Sequence, residues 1–510
     1  MGEDRSGRPR TRRAAAAGPE SSRRQAGGGA GPERRAGGAA DQKRRVGRGD
    51  GAGPESPRRR GGGGGEQRRR AGPGLVGAFW RPGLHLPRHR ATTAHLCSAY
   101  PFQAEQGLGG RGVVLGTDEL AGGGAFCYDQ FELYTQGVIS SPNMVIFGHV
   151  GSGKSSAVKT FLYRSVGVLR SPRVGHRWCA VVDPKGEYGP LAQALGLDVL
   201  RLYRGGPTRL NPLDPGPSGE WASADELAAR RTTLVGALVA SVLHRDLLPV
   251  EDAAIGWAVE QVTGRREGTP TLLDVARLLE DPTADMASRA RSTVAELARS
   301  VDAARFALGK LLDRDLRGMF DGTSTTRVDW SGRGVVIDLS AIHQDPDALT
   351  LVMIAATAWL QALLATPEGT DVPRRYQVLE ECWVLLGSER TAKYLQSCWK
   401  LARAYGVANI AVAHRISDLR AQADDGSAAA KVAMGLLGDT DTRVIFRQQS
   451  DQVAEATSLL DLTAREAALL RGLAQGRALW KVGPHHTAVV QHVIGEREKW
   501  FCDTDSRVLV

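Results

Sequence analysis

The stretch "MVIFGHVGSGKSSAVKT", residues 144–160, decides how the chain reads. Four apolar residues form a buried-strand candidate. They run directly into Gly148-His149-Val150-Gly151-Ser152-Gly153-Lys154-Ser155, a full G-x-x-x-x-G-K-S. Glycines at this spacing let the backbone curl so that its N–H groups converge on phosphate oxygens. The helix opening near Lys154 adds the positive end of its dipole. Lys154 is placed to reach the β and γ phosphates of ATP, and Ser155 Oγ to ligate Mg2+. Gly148, Gly151, Ser152, Gly153 and Ser156 complete the expected cradle. A dinucleotide fingerprint does not fit, because Lys-Ser stands where a close-packing glycine would be needed.

The surrounding pattern is α/β. "SSAVKTFLYRSVGVL" (155–169) reads as a helix, "WCAVVD" (178–183) as a second strand and "DVLRLY" (198–203) as a third, the start of a parallel sheet. Upstream, "GVVLG", "AFCYD" and "MVIF" read as strands split by turns. From 222 to 317 apolar residues recur every three and four positions, so an all-helical insertion of several helices is expected. Sheet character returns at "GVVIDLS" (334–340). A long apolar helix (348–365), "YQVLEECWVLL" (376–386), a helix near 391–405, "VANIAVAHR" (407–415), "TRVIFRQ" (442–448), two short helices and the strands "RALWKV" and "HTAVVQHV" complete the body. The expected divisions are an extension over 1–95, core over 96–220, helical insertion over 221–325 and core over 326–500.

A P-loop needs an acidic strand end as its partner. Glu380-Glu381 closes "YQVL", and two adjacent carboxylates there divide labour: Glu380 orients Mg2+ and Glu381 polarises the attacking water. The plain structural alternative is a solvated helix start, where acids are common. Asp183, in "DPKGEY", either orders the γ-phosphate side or caps the following turn, while Lys185 and Glu187 read as a surface-loop pair. Asp338 reads as structural. His414 ends "NIAVA", where a polar residue either reports on the γ-phosphate or is a satisfied structural histidine. Arg443 and Arg447 lie four apart on an apparent strand and so share a face; one of them is a candidate arginine finger for a neighbouring subunit, with Arg403 as a further contender. His485-His486 lacks partner ligands, and no metal is expected there.

Lys and Arg number 66 against 56 Asp and Glu, a formal charge of +10. The excess is local: residues 1–90 carry 22 basic and 8 acidic side chains, leaving a body of net −4. A global argument from charge to nucleic-acid binding therefore fails for the body. The extension, with runs such as "RRRGGGGGEQRRRAGPG", has almost no apolar residues before Leu75 and is expected to be disordered. It reads either as a nonspecific anion-binding tail or as an extension without function, and it lacks the apolar segment of a secretory signal. Six scattered cysteines without a C-x-x-C pair fit a reducing cytoplasm. No apolar run is read as approaching the ~20 residues that span a bilayer; "TLVGALVASVL" (233–243) is the nearest.

Taken together, "PFQAEQGLGGRGVVLGTD" (101–118), the P-loop segment, "VVDPKGEYGPLAQALG" (181–196), "RLNPLDP" (209–215), "VVIDLS" (335–340), "VLEECWVLL" (378–386) and "ARAYGVANIAVAHRISDL" (402–419) resemble the VirB-type and TraC-like transfer ATPases of conjugative type IV secretion systems, within the HerA/FtsK class. The actinobacterial ATP-binding forms are the most similar, and the resemblance covers roughly 100–495. It implies a RecA-like ATPase core with a helical insertion. It also implies a ring, typically a hexamer, with each ATP read at a subunit boundary, and docking on inner-membrane channel proteins from the cytoplasmic face. Lys154 and Ser155 fall in its Walker A and Glu380-Glu381 in its Walker B. The chain departs from the pattern at Glu380, where the family usually has Asp, at His414, where it usually has Gln, and in the N-terminal region, where the Arg/Gly-rich extension stands in place of a large domain. The leading expectation is a Mg2+-ATP motor for conjugative transfer. A DNA-pumping translocase and a nucleotide-binding scaffold with weak hydrolysis are the alternatives.

Overall fold

The computed structural model describes residues 107–503, apart from 170–174, 217–222, 265–267, 330, 366–372, 387–388, 415–427 and 450. The extension over 1–95, and with it the expectation of disorder there, lies outside the described residues.

Among the described residues, eleven strands form one sheet in the order β2-β1-β11-β10-β9-β3-β8-β7-β4-β6-β5. The strands are β1 Val113–Asp118, β2 Gly124–Tyr128, β3 Met144–Phe147, β4 Arg177–Asp183, β5 Asp198–Arg201, β6 Gly334–Asp338, β7 Arg374–Leu379, β8 Val407–Ala413, β9 Thr442–Phe446, β10 Arg477–Val482 and β11 His486–His492. Seven of them, from β9 across to β5, pair in parallel. The other four extend the sheet antiparallel beyond β9. Every residue of β3, β4 and β8 is buried, which explains why they read as continuous apolar runs rather than alternating ones.

Two cores lie on the two faces of this sheet. Val145, Phe147, Ala180 and Val182 face one, shared with the helices Ala224–Leu243, Pro249–Thr263, Pro346–Leu364 and Glu389–Ala402. Met144, Ile146, Cys179 and Val181 face the other, shared with Lys154–Leu162 and Gly189–Leu195. This is a mixed α/β architecture with helices on both faces.

Between β5 and β6 the described residues include six α-helices spanning Ala224–Lys310. Their starts are encoded locally. Ser223 with Glu226, Thr271 with Asp274, and Thr293 with Glu296 each form a reciprocal capping box that satisfies two backbone N–H groups.

Three expectations are corrected. The helix after the P-loop is α-helical only over Lys154–Leu162 and then widens into a π-helical turn over Tyr163–Val168. The strand of Arg443 ends at Phe446, so Arg447 lies beyond it and the two arginines do not share a strand face. The segment best suited by length to a bilayer is Pro346–Leu364, 19 residues at hydropathy 1.6, and not 233–243. That helix is 78% buried, because it packs against the sheet as a core helix.

Candidate nucleotide site

Parallel pairing puts the carboxyl ends of β3, β8, β7 and β4 on one sheet edge, with β8 inserted between β3 and β7. The P-loop follows β3, His414 follows β8, Glu380-Glu381 follows β7 and Asp183 ends β4. A cavity of about 480 Å³ opens there, lined by Gly151, Gly153, Lys154, Ser155, Asp183, Lys185, Glu380 and His414 among others. The carboxyl edge is where open α/β sheets place their ligands.

The loop conformation explains its glycines. Gly153 sits at φ 103° and Gly151 at φ 75°, both in the left-handed region. A Cβ on Gly148 would lie 2.5 Å from Phe446 Cβ and 2.7 Å from Ser152 Oγ. Gly476 N–H donates to Ser152 C=O at 2.9 Å, tying the loop to the start of β10. Ser156 Oγ donates to the Cys502 carbonyl at 3.2 Å, so it belongs to the contact with the C-terminal helix Lys499–Cys502. Ser155 lines the cavity; the Ser152 side chain is buried.

Lys154 is 5% exposed. Its ammonium donates to Gly148 O at 2.5 Å and His149 O at 3.1 Å, and lies 3.1 Å from His414 Nδ1. Burial pushes its pKa down to about 8, opposed by the charges of Glu380 and Glu381.

The two adjacent carboxylates are differentiated. Glu380 is buried and accepts from Tyr188 Oη at 2.5 Å. Burial raises its pKa to about 7; the Tyr188 bond opposes this, and Glu381, Glu187 and Asp183 add to it. Burial also acts to raise Glu381, but the hydrogen bond from His414 and the charge and hydrogen bond of Lys185 outweigh it and hold the group at about 2. His414 Nε2 lies 2.5 Å from Glu381 Oε1, Lys185 forms an ion pair with the same oxygen, and Trp383 Nε1 donates to Oε2 at 2.5 Å. Glu381 also takes φ 52°, a left-handed conformation that costs a non-glycine residue roughly 1–3 kcal/mol and persists where neighbours over-determine it. A pair of carboxylates driven apart in acidity is the pattern of assigned acid–base roles.

Asp183 shows cap geometry. Its Oδ1 accepts from the N–H groups of Lys185, Gly186 and Glu187, and its Oδ2 from that of Tyr188 at 2.8 Å. It thereby fixes the turn that delivers Lys185 and Tyr188 to the two glutamates. The expected Lys185–Glu187 surface pair is replaced by Lys185–Glu381. Lys185, Tyr188 and Trp383 are the site residues that sequence reasoning missed. Asp338 accepts from Ser340 N–H at 2.9 Å and lies 3.5 Å from Arg201, outside the cavity lining.

The arginines are dispersed. Arg447 is exposed, and its carbonyl accepts from His149 N–H at 3.3 Å, so it borders the P-loop. Arg443 pairs in register with Val145, toward the amino end of β3, and donates to Leu460 O and Leu437 O at 3.2 Å each. Arg403 lies at that same amino edge, beside Asn143 and Asp441. Neither Arg443 nor Arg403 lines the Lys154 cavity. His485 and His486 line a separate cavity with Arg443.

A likeness to solved structures accompanies this geometry. VirB4 of Thermoanaerobacter pseudethanolicus superposes at TM-score 0.57 over 77% of this chain and 100% of that one, at 19% identity. This chain has the fold of that P-loop NTPase. The bacterial conjugative coupling protein TrwBdeltaN70, in complex with sulphate, superposes at TM-score 0.50 over 70% of this chain and 86% of that one, at 17% identity. The plasmid coupling protein TrwB in complex with ADP and Mg2+ gives 0.49 at 18% identity, over 70% of this chain and 86% of that one. No family model and no curated protein matches the sequence. At these identities the likeness speaks for the fold.

Proposed function

We propose that the chain is a Mg2+-ATP-hydrolysing motor subunit of the conjugative-transfer kind, working as a ring at the cytoplasmic face of a membrane channel. The observation that carries this reading is the convergence of Lys154, Glu380, Glu381 and His414 at one sheet edge from three separate strand ends. The VirB4 fold supports the transfer context, and the resemblance of the sequence segments to transfer ATPases implies the ring, typically a hexamer.

In this reading Glu381 is the base. Water attacks the γ phosphorus, Glu381 takes the water proton, and the bond from the γ phosphorus to the bridging oxygen breaks. The electron pair leaves on ADP, and inorganic phosphate is released. Glu381 is ionised at neutral pH, as this role requires. Lys154 offsets charge on the transferring group. His414 orients Glu381 and couples it to the P-loop lysine. Mg2+ fits the oxygen donors on this edge: Ser155 Oγ and the Glu380 carboxylate would hold it, and it would neutralise phosphate charge. Arg447, exposed at the P-loop border, is better placed than Arg443 for reaching another subunit's nucleotide.

A second reading, a nucleotide-binding scaffold with weak turnover, draws support from the engagement of both Glu381 oxygens by Lys185, His414 and Trp383. ATP binding and turnover by the full-length chain and by Lys154→Ala decide between them. The motor predicts turnover that Lys154→Ala abolishes. Tight ATP binding without turnover in the assembled protein selects the scaffold, and normal turnover in Lys154→Ala contradicts both assignments.

A further inference from the structure

Lys185 stands two residues past the strand end of β4, in the turn that Asp183 fixes through four backbone N–H groups. Its backbone is therefore held, while its side chain is 31% exposed, against 5% for Glu381. The ammonium forms an ion pair with Glu381 Oε1 and lies 2.6 Å from His414 Nε2. Lys154 meets the other nitrogen of the same ring at 3.1 Å. One imidazole thus sits between two lysines and one carboxylate on the wall of the nucleotide cavity.

The hydrogen-bond arithmetic at that ring has one neutral solution. Glu381 Oε1, an ionised acceptor, needs a proton on Nε2 across the 2.5 Å contact. Nδ1 then keeps its lone pair and accepts from Lys154. An Nε2 that carries a proton cannot also accept from Lys185. The 2.6 Å approach of Lys185 to the ring then sets two donors face to face, which loosens the ammonium, and among the described residues the acceptor that holds it is Glu381. Of the two lysines, Lys185 is the one ion-paired with the group read here as the base. Both lysines line the cavity, and Lys185 is the more exposed of the two, its side chain 31% accessible where Lys154 is buried.

We propose that Lys185 is a second phosphate-binding lysine, whose ammonium exchanges between Glu381 and the terminal phosphate of a bound nucleoside triphosphate. This rests on the reading of the cavity as a nucleotide site. A terminal phosphate carries more negative charge than a carboxylate and offers three oxygens, so it competes well for the ammonium. When Lys185 moves, Glu381 keeps His414 and Trp383, which fix its orientation, and regains a free lone pair on Oε1 for water. The substrate itself releases the base that acts on it. A diphosphate, lacking the terminal group, leaves Lys185 on Glu381, so the exchange separates ATP from ADP.

The test is calorimetric binding of ADP and of the slowly hydrolysed analogue ATPγS to the full-length chain, with Lys185→Met, Lys185→Arg, Glu381→Gln and the double variant Lys185→Met/Glu381→Gln. Lys185→Met is expected to weaken ATPγS about tenfold, the loss of one charged hydrogen bond, with ADP affinity changed less than about twofold. Unchanged ADP binding also certifies the fold of the variant. Lys185→Arg is expected to recover most of the loss. Glu381→Gln, which removes the competitor, is expected to strengthen ATPγS, and the gain is expected to vanish in the double variant. Equal weakening of ADP and ATPγS by Lys185→Met, or a Glu381→Gln gain that survives in the double variant, overturns the proposal while leaving the nucleotide site standing. A wild-type chain that binds neither nucleotide overturns the nucleotide reading and this proposal with it.

Discussion

His414 Nε2 and Glu381 Oε1 lie 2.5 Å apart, although the residues are 33 positions apart in sequence and leave the ends of neighbouring strands β8 and β7. Through Nδ1 the same ring reaches Lys154, 260 residues away. A single side chain on the middle strand therefore joins the two halves of the proposed hydrolytic site. His414→Ala is expected to lower turnover by at least about tenfold while nucleotide affinity changes little, because orientation of the base is lost and the cradle is not. His414→Gln offers an amide N–H₂ to Glu381 and a carbonyl to Lys154, so it is expected to retain more turnover than alanine. Steady-state rates beside nucleotide titrations check both.

The two glutamates are expected to move stability in opposite directions. Glu380 has its pKa raised from 4.5 to about 7, mainly by burial, so its folded form keeps a proton that the unfolded chain releases. Stability therefore falls as pH climbs from 4.5 through 7, and Glu380→Gln is expected to raise the unfolding free energy above pH 7 by on the order of 1–3 kcal/mol, with the difference closing below pH 4.5. Glu381 is lowered from 4.5 to about 2 because its partners outweigh burial. Its contribution is present above pH 4.5 and lost as pH falls through 2, so Glu381→Gln is expected to be less stable than wild type at neutral pH, and the gap is expected to shrink in acid. Urea midpoints across pH give both signs.

Gly148→Ala tests the P-loop conformation. The added Cβ meets Phe446 Cβ at 2.5 Å and Ser152 Oγ at 2.7 Å. A clash against a buried ring-bearing side chain is expected to cost about 1–3 kcal/mol and to displace the loop from its phosphate geometry. Loss of ATP binding, in a chain that still unfolds cooperatively, is the expected result.

Arg447 and Arg443 are expected to behave differently when replaced by alanine. Arg443 donates to two carbonyls within its own chain, and its loss is expected to cost roughly 1–2 kcal/mol of stability. Arg447 is exposed, so Arg447→Ala is expected to leave the unfolding free energy within about 0.5 kcal/mol of wild type. If it reaches a neighbouring subunit's nucleotide, turnover falls while binding holds, and mixing the variant with wild type lowers activity by more than dilution.

The sheet was legible because its strands are short apolar runs bounded by glycine and acidic residues. β3, β4, β8 and β10 lie within a residue or two of where the pattern puts them. The P-loop was legible because its spacing is dictated by phosphate geometry. Sequence reasoning was weaker on side-chain partnerships. "DPKGEY" offers a lysine and a glutamate two apart, and local reasoning joins them, whereas Asp183 binds four amides and turns Lys185 toward Glu381, 196 positions along the chain. Nothing in a linear pattern shows that β8 would lie between β3 and β7, which is what makes His414 the link. Arg447 was misplaced by one strand boundary, the least reliable feature of any periodic reading. The long apolar pattern over 348–365 predicts the helix found at Pro346–Leu364, while Thr350, Thr357 and Gln361 interrupt the apolar run and hide its length as a bilayer candidate.

The most direct test of the central claim is ATP turnover by the full-length chain, measured across protein concentration in the presence of Mg2+, beside Glu381→Gln. A motor whose base is Glu381 predicts specific activity that rises with assembly and falls at least about a hundredfold in the variant, with nucleotide still bound. Wild-type turnover retained in Glu381→Gln, or a fully assembled protein that binds Mg2+-ATP and does not hydrolyse it, would contradict the account.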